Sequence, residues 1–448
     1  MYEVLSTAIL SRLRQLATEL MVWSRDHRDA PLVDQEQAVL EAVRSIMPDL
    51  LLMVLKDCTS AVRLPLAQWR HGCPSCGQRR GVHQWRERQV ATRCGSIHFE
   101  RPYYYCRACK CGWAPADASL GLRQYEQLSM GIKEWLVHLG ASTDFREASD
   151  LLKKLTGLTV APETVRQHTE GVGAALERQQ QGAMAQVEMT QEAAEPVELA
   201  PGLLVVETDG VMVRYKNGWH EVKLGLVGGH KDGRTGALSY VAARESAEQF
   251  GPRLLCEAAR RGALEIVGWQ GPITGMGLAM LREVVILGDG AHWIWTLAAD
   301  YFGVRTEIVD FYHASEHLWA IANAQYGQGS AKAKEWAEAR VTELYEKGAK
   351  PVLAALSSVR PSTKEATKVL RRERGYFRNN AYRMAYPQFR EQGLPIGSGA
   401  IESAAKHLVQ LRMKRPGVRW SDAGAQGVLA VRAHLASGRP LPSGKLAA

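Results

Sequence analysis

Three carboxylates fall where strand and helix patterns would let them work together. Asp209 lies in or just after an apolar strand-like run, in Glu207-Thr208-Asp209-Gly210. Asp289 lies where the fully apolar run Val284–Leu287 ends, in Leu287-Gly288-Asp289-Gly290. Glu402 lies in a late helical stretch, IGSGAIESAAKHL. Carboxylates at strand ends and on an adjacent helix can converge over one edge of a sheet. Brought close, they repel unless cations neutralise them. Two Mg²⁺ (or Mn²⁺) ions about 3.5–4 Å apart would do so, and would clamp the attacking and leaving oxygens of an in-line phosphoryl displacement. Mg²⁺ prefers such oxygen ligands. Each acid also has a plainer role open to it. Asp209-Gly210 could form a hairpin turn, Asp289 could cap a helix from Ala291, and Glu402 could pair with Lys406. Asp310, in VDFYHASEHL, lies at another strand end with His313 three residues on. These two are secondary candidates, to assist the metals, contact DNA or cap a helix.

The cysteines suggest a different metal. Of eight, six fall between Cys73 and Cys111. Cys73-Pro-Ser-Cys76 and Cys106-Arg-Ala-Cys109 are two C-x2-C knuckles, each able to present two thiolates to one tetrahedral Zn²⁺. The interval between the knuckles exceeds the roughly 15–20 residues of the common pattern. A β-hairpin, HQWRERQVATRCGSIHFERPYYYC, turning near Gly95, would fill it and make a zinc ribbon. Four thiolates leave no open position for water, so this zinc would be structural. Cys94 and Cys111 are left over, and Cys111 or a nearby His could replace one ligand.

The elements that must position these residues read as an α+β, multidomain chain. The 448 residues suggest two to four domains. Residues 1–70 read as helical, 71–118 as the ribbon, and 119–180 as helical again. Residues 181–201, polar and acidic with Ala and Pro, read as a linker. Residues 202–440 read as a mixed sheet covered by helices, with a helical, basic stretch at about 314–395. In that sheet GLLVVETDGVMVRY, WHEVKLGLVGG and ALSYVAAR read as three strands, with a turn at Lys216-Asn217-Gly218.

The net charge of +9 favours a polyanionic partner. Within 119–180, FREASDLLKKLT reads as a helix with Ala148, Leu151, Leu152 and Leu155 inward, capped by Gly157. Pro162 suits the start of a second helix, PETVRQHTEGV. That is a helix-turn-helix-like pair, with Arg166, Gln167 and His168 as groove-facing candidates. Arg371, Arg372, Arg374 and Arg378, with Lys406, Arg412, Lys414, Arg415 and Arg419, are candidate phosphate contacts. No apolar run of about 18 residues predicts a membrane span, and the N-terminus reads as an amphipathic helix rather than a signal peptide. A cytoplasmic, nucleoid-associated protein is expected. No GxxxxGK[ST] loop predicts a nucleotide cofactor.

Taken together, CPSCG with RPYYYCRAC, ETDG, WHEVKLG, VVILGDGAHWIW, IVDFYHASEHLW, YFRNNAYRM, LPIGSGAIES and RMKRPGVRWS resemble the bacterial insertion-sequence transposases of the ISKra type, a DDE group. The resemblance runs from about residue 71 to 436. It implies a ribonuclease-H-like catalytic fold with a helical insertion before the final acid. It carries the first Asp onto Asp209, the second onto Asp289 and the Glu onto Glu402. The implied activity is Mg²⁺-dependent cleavage at an element end and strand transfer into target double-stranded DNA, by a dimer or larger homo-oligomer. Two rivals follow from the same residues: a ribonuclease-H-like nuclease that cuts without joining, and a zinc-containing DNA-binding regulator without activity.

Overall fold

The computed structural model describes residues 2–58, 70–190, 199–267, 278–281 and 283–442. It divides into two compact units. The first is principally Met1–Gly140 with Asp144–His168, and the second principally Thr169–Leu441 with Ala141–Thr143.

The first unit opens with helices α1 (Tyr2–Asp26) and α2 (Leu32–Cys58). Residues 59–69, read from sequence as helical, lie outside the described residues. Two short strands, β1 (His71–Gly72) and β2 (Arg79–Arg80), flank the first cysteine knuckle. A long hairpin follows, β3 (Val82–Thr92) and β4 (Gly95–Cys106), with β5 (Cys111–Trp113) added at its edge. The hairpin closes at Thr92 opposite Gly95. Gly95 takes φ 104, a conformation open to glycine, and an added Cβ would meet Pro48 of α2 at 2.9 Å. Leu55 of α2 packs with Val90, Ile97 and Phe99 of the hairpin.

After α3 (Pro115–Ser119) come α4 (Met130–Ser142), α5 (Phe145–Thr156) and α6 (Pro162–Thr190). Asp144 caps α5 by accepting from the Arg146 and Glu147 amides, and Gly157 ends it at φ 77. Ile132 and Leu136 of α4 pack with Ala148 and Leu152 of α5 and with Val165 of α6. Two details differ from the sequence reading. Leu155, in the last turn of α5, is 65% exposed, and Ser149 is buried and donates to the Val160 carbonyl at 2.5 Å. Residues 181–190, read as linker, continue α6 as helix. Their Ala, Gln, Glu and Met are good helix formers, so polarity alone misled. Residues 191–198 of that linker lie outside the described residues.

The second unit is built on a five-stranded sheet. Strands β6 (Leu203–Tyr215), β7 (Gly218–Lys231) and β8 (Arg234–Ala243) form an antiparallel meander. Helix α7 (Ala247–Arg260) follows, held by a Ser246/Gln249 capping box. Strands β9 (Leu264–Val267) and β10 (Leu278–Leu281) pair separately. Then β11 (Val284–Gly288), α8 (His292–Tyr301) and β12 (Arg305–Val309) complete the sheet, with β11 parallel to β6 and β12 parallel to β11. The order is β12-β11-β6-β7-β8. Val284–Leu287 are buried throughout, as a strand covered on both faces requires.

Helices cover both faces. Gly225 of β7 abuts Leu254 and Phe250 of α7, and Gly288 of β11 abuts Ile294 of α8. Both glycines lie in register with Thr208 of β6, so α7 and α8 share that face. The chain then makes α9 (Phe311–Tyr326), α10 (Ala331–Lys347), α11 (Ala349–Ser358), α12 (Lys364–Asn380), a 3-10 turn (Ala381–Met384) and α13 (Tyr386–Glu391). It returns through α14 (Gly399–Ala404), a π-helical turn (Ala405–Gln410), α15 (Leu411–Met413) and α16 (Asp422–Ala436). The chain is thus a mixed α+β protein with several sheets. Among the described residues no helix is long and apolar enough to cross a membrane.

Candidate functional site

Strand register places the aspartates. Thr208, Gly288 and Val309 lie side by side on β6, β11 and β12. Each is followed by an aspartate, so Asp209, Asp289 and Asp310 form one row where β11 and β12 end. Neighbouring strands stand about 4.8 Å apart, and the carboxyl ends of parallel strands are where such sheets bind ligands. Asp209 is not a turn residue: β6 continues to Tyr215, and the reversal comes at Lys216-Asn217.

The three aspartates differ in what holds them. Asp209 is half-buried and accepts from the Gly210 amide at 2.6 Å. Burial raises its pKa, and the charge of Asp289 raises it further, against the Gly210 amide and His313. Asp289 is also half-buried. Its Oδ1 accepts from the Ala291 amide at 2.8 Å, and its carbonyl accepts from the Tyr376 hydroxyl at 3.0 Å. A turn bond just before α8 therefore engages one oxygen of Asp289, which does not cap the helix itself. Asp310 is fully committed. It is buried, its Oδ1 caps α9 through the Tyr312 and His313 amides, and its Oδ2 accepts from the amide and hydroxyl of Ser398. Of the roles open to Asp310 in the sequence, the structure shows the cap.

Ser398 directly precedes α14, the helix that carries Glu402. A second tether holds the same helix. Glu207, 1% exposed, accepts from the Ile401 amide at 2.9 Å. Burial pushes the Glu207 carboxyl up to about 7, with Asp310 and Glu402 adding to it against the Ile401 bond. Glu207 precedes Asp209 by two residues, so both point to the same sheet face. The helix bearing Glu402 thus docks on that face. Glu402 is exposed and pairs with no cation among the described residues, Lys406 included. One turn on, the π-helical segment is held by half-buried Arg432, which donates to the Leu408 carbonyl at 2.7 Å and to that of His407. Such π-turns recur at functional sites.

A second group stands beside the aspartates. The His313 ring meets that of His317 at 4.9 Å, and His317 stacks on Tyr376 at 3.8 Å. His317 Nδ1 lies 2.5 Å from Glu373, which is buried. Burial pushes Glu373 up, but His317 and Arg372 outweigh it and bring it below the usual range. Gly290 leaves room for the Tyr376 ring, which a Cβ would meet at 2.7 Å. Sequence reasoning missed Glu207, His317, Glu373, Tyr376 and Ser398. Only Glu207 carried a signal, its place two residues before Asp209.

The donor set suits a hard divalent cation. Asp209 and Asp289 offer oxygens alone, carry like charges, and are paired with no Lys or Arg among the described residues. The acids are nonetheless open. Among the described residues the group with ligand atoms all within 4.8 Å is Cys73, Cys76, Cys106 and Cys109, not Asp209, Asp289 and Glu402.

That cysteine group could hold one metal ion such as zinc. Burial pushes the Cys73 thiol up, but the amides of Cys76 and Ser75 and the neighbouring thiols bring it down to about 6. Cys109 is pushed up to about 12, chiefly by the Cys76 thiol. Crowded thiols compete for one charge, which a cation would relieve. Cys111 Sγ lies 3.4 Å from Cys73 Sγ, just outside the set. Cys94 sits in the hairpin turn, at the opposite end of β4 from Cys106.

The sequence-predicted DNA contacts divide. Lys406, Lys414 and Arg419 are exposed, Arg415 is half-buried, and Arg371, Arg372, Arg374 and Arg378 on α12 are exposed. Arg412 is 1% exposed with its guanidinium 4.9 Å over Trp420; it is a core residue and not a phosphate contact. On α6, Arg166 and Gln167 both bond Glu163, at 2.5 and 3.0 Å. His168 is half-buried, and burial lowers its pKa. These three do not form one free recognition face.

Comparison with known proteins overturns the resemblance read from the sequence. A model of a family described as an uncharacterised protein family, UPF0236, matches residues 75–249. That span runs from the first knuckle through β8 and includes Asp209, but neither Asp289 nor Glu402. A Streptococcus gallolyticus protein described as "UPF0236 protein in vanSb 3'region" is 24% identical over 353 residues, covering 76% of this chain and 71% of its own. The similarity thus runs to UPF0236 proteins, and the resemblance to ISKra-type transposases does not stand. Of its short motifs, LGDG lies where β11 ends and ETDG lies inside β6.

Proposed function

We propose that this chain is a metal-dependent enzyme that cuts and joins DNA strands, a transposase with a ribonuclease-H-like catalytic domain. The observation that carries the proposal is the row of Asp209, Asp289 and Asp310, with the Glu402 helix tethered to Glu207 and Asp310. What supports the reading is a three-stranded antiparallel meander with two parallel strands added in turn beyond its first strand, an order that a ribonuclease-H-like domain would have. The helices between β12 and α14 stand as the insertion before the final acid.

In this reading Asp209, Asp289 and Glu402 hold Mg²⁺ or Mn²⁺, and Asp310 and Glu207 position the last of them. The bound cations supply charge neutralisation at a phosphodiester and an activated oxygen nucleophile. The chain's own contribution is placement. Asp209 and Asp289 sit on fixed, in-register strands, and Tyr376 pins the backbone carbonyl of Asp289. His313, with its ring 38% exposed, stands close enough for its charge to act on Asp209, and is placed to meet a phosphate or exchange a proton. Exposed Lys406, Lys414 and Arg419 offer phosphate contacts. Double-stranded DNA, as element ends and target, would be the substrate, with a homo-oligomer to pair the ends.

The test is a supercoiled plasmid incubated with the protein and Mn²⁺, wild type against Asp289→Asn. The reading expects wild-type nicking, lost at least about a hundredfold in the variant with DNA binding kept. A variant that cleaves like wild type sinks the metal role. Cleavage without product joining to a second DNA leaves a nuclease. Binding alone, unaffected by Asp289→Asn, leaves the regulator.

A further inference from the structure

The cysteine ribbon carries a second feature, apart from its metal site. Between the outer face of the β3–β4 hairpin, β5 and the segment after α3 lies a cavity of about 220 Å³. Three arginines line it, Arg86, Arg88 and Arg101, against one acid, Asp117. Asp117 is already bound in a bidentate pair to Arg101, at 2.6 and 3.0 Å, and is 3.7 Å from Arg88. The lining therefore carries an excess of positive charge.

Two of these arginines are fixed. Arg88 is 8% exposed and donates to the carbonyls of Arg123 and Glu126 at 2.7 and 2.5 Å, yet its Nε has no partner. A buried guanidinium N–H without a partner is costly and marks a place where an acceptor belongs. Arg101 is held by Asp117 and by the Arg86 carbonyl at 3.0 Å. Arg86 itself is exposed and lies flat over the Tyr103 ring at 3.6 Å. Tyr103 reaches its place only because residue 112 is glycine; an added Cβ would collide with the Tyr103 hydroxyl. Trp113 lines the cavity, and so does Tyr125, 80% exposed. Tyr125 adopts φ 66, which side-chain-bearing residues rarely take, and strain of this kind collects at ligand sites.

We propose that this cavity binds one nucleotide of a single-stranded DNA segment, its base against the Arg86–Tyr103 stack and its phosphate toward Arg88. Planar guanidinium and aromatic faces are the surfaces on which unpaired bases stack. A fixed guanidinium suits a phosphate oxygen. The volume is below that of sites for drug-sized ligands, so the occupant is a single ring and its phosphate rather than a whole cofactor. The site needs no catalytic metal, and so stands or falls apart from the acids of the second unit.

The test uses the full chain in magnesium-free buffer with a short fluorescein-labelled oligothymidylate, followed by anisotropy. Arg86→Ala and Tyr125→Ala alter exposed side chains only, and zinc content reports that the ribbon is intact. Each is expected to weaken the oligonucleotide roughly five- to a hundredfold, with inorganic phosphate and polyglutamate competing poorly. Wild-type affinity in both variants overturns the site. Competition by phosphate or polyglutamate as strong as by unlabelled oligothymidylate also overturns it, since the cavity would then read charge alone.

Discussion

Replacing Asp310 with alanine probes the link between the sheet and the helix that bears Glu402. The buried carboxylate accepts from two amides at the start of α9 and from the amide and hydroxyl of Ser398. Loss of the cap alone costs about 1 kcal/mol. Ser398 is itself buried, and its stranded donors cost about 1–3 kcal/mol. Together these give about 2–4 kcal/mol, or a drop in melting temperature on the order of 5–15 °C for a unit of this size. Urea unfolding measures the first quantity and calorimetry the second. Amide exchange across residues 398–404 should quicken well beyond the change at α7, because the damage is local to α14. Ser398→Ala removes the hydroxyl only and should cost about 1 kcal/mol. If Asp310→Ala costs less than about 1 kcal/mol, or leaves exchange at 398–404 unchanged, the tether is not what holds this helix.

Glu207→Gln keeps an acceptor for the Ile401 amide but cannot ionise. The Glu207 carboxyl is held at about 7, above its ordinary 4.5, so its stabilising contribution is full below the unfolded value and lost as pH rises through the folded one. In magnesium-free buffer the variant should therefore melt later than wild type near about pH 8 and match it near about pH 4; equal melting at both would refute the assignment. Cys76→Ser should lose one zinc per chain by elemental analysis and speed amide exchange in the β3–β4 hairpin, whereas Cys111→Ser should keep its zinc. Metal retained by Cys76→Ser and lost by Cys111→Ser would reassign the fourth ligand.

Much of the second unit was legible because its strands are apolar and its turns are marked. Lys216-Asn217-Gly218 fixed the first hairpin, and the unbroken apolar run Val284–Leu287 read as a buried strand. The C-x2-C spacing was equally direct, since two thiolates across a short knuckle need no distant information. What stayed hidden depends on contacts between segments far apart in sequence. Nothing local distinguishes Glu207 from a surface acid, because its meaning lies in an amide of α14. Arg412 sits in a basic stretch, RMKRPGVRW, whose Lys414 and Arg419 are exposed; its burial against the ring of Trp420 is a contact that the local sequence does not announce. Leu155 fits the apolar period of α5, yet the helix ends one residue later and Leu155 stays exposed. Family identity failed for a related reason: short motifs such as ETDG and LGDG report a local placement of acid and strand, which does not by itself fix a family.

The most direct measurement is a crystal structure of the full chain soaked in Mn²⁺, with anomalous scattering to locate the ions. A manganese peak is expected between the carboxylates of Asp209 and Asp289, with Glu402 of α14 beside it and Asp310 still bonded to Ser398. Clear diffraction with no peak at that row of strand ends, or manganese ligated by Asp310 in place of Asp209, would contradict it.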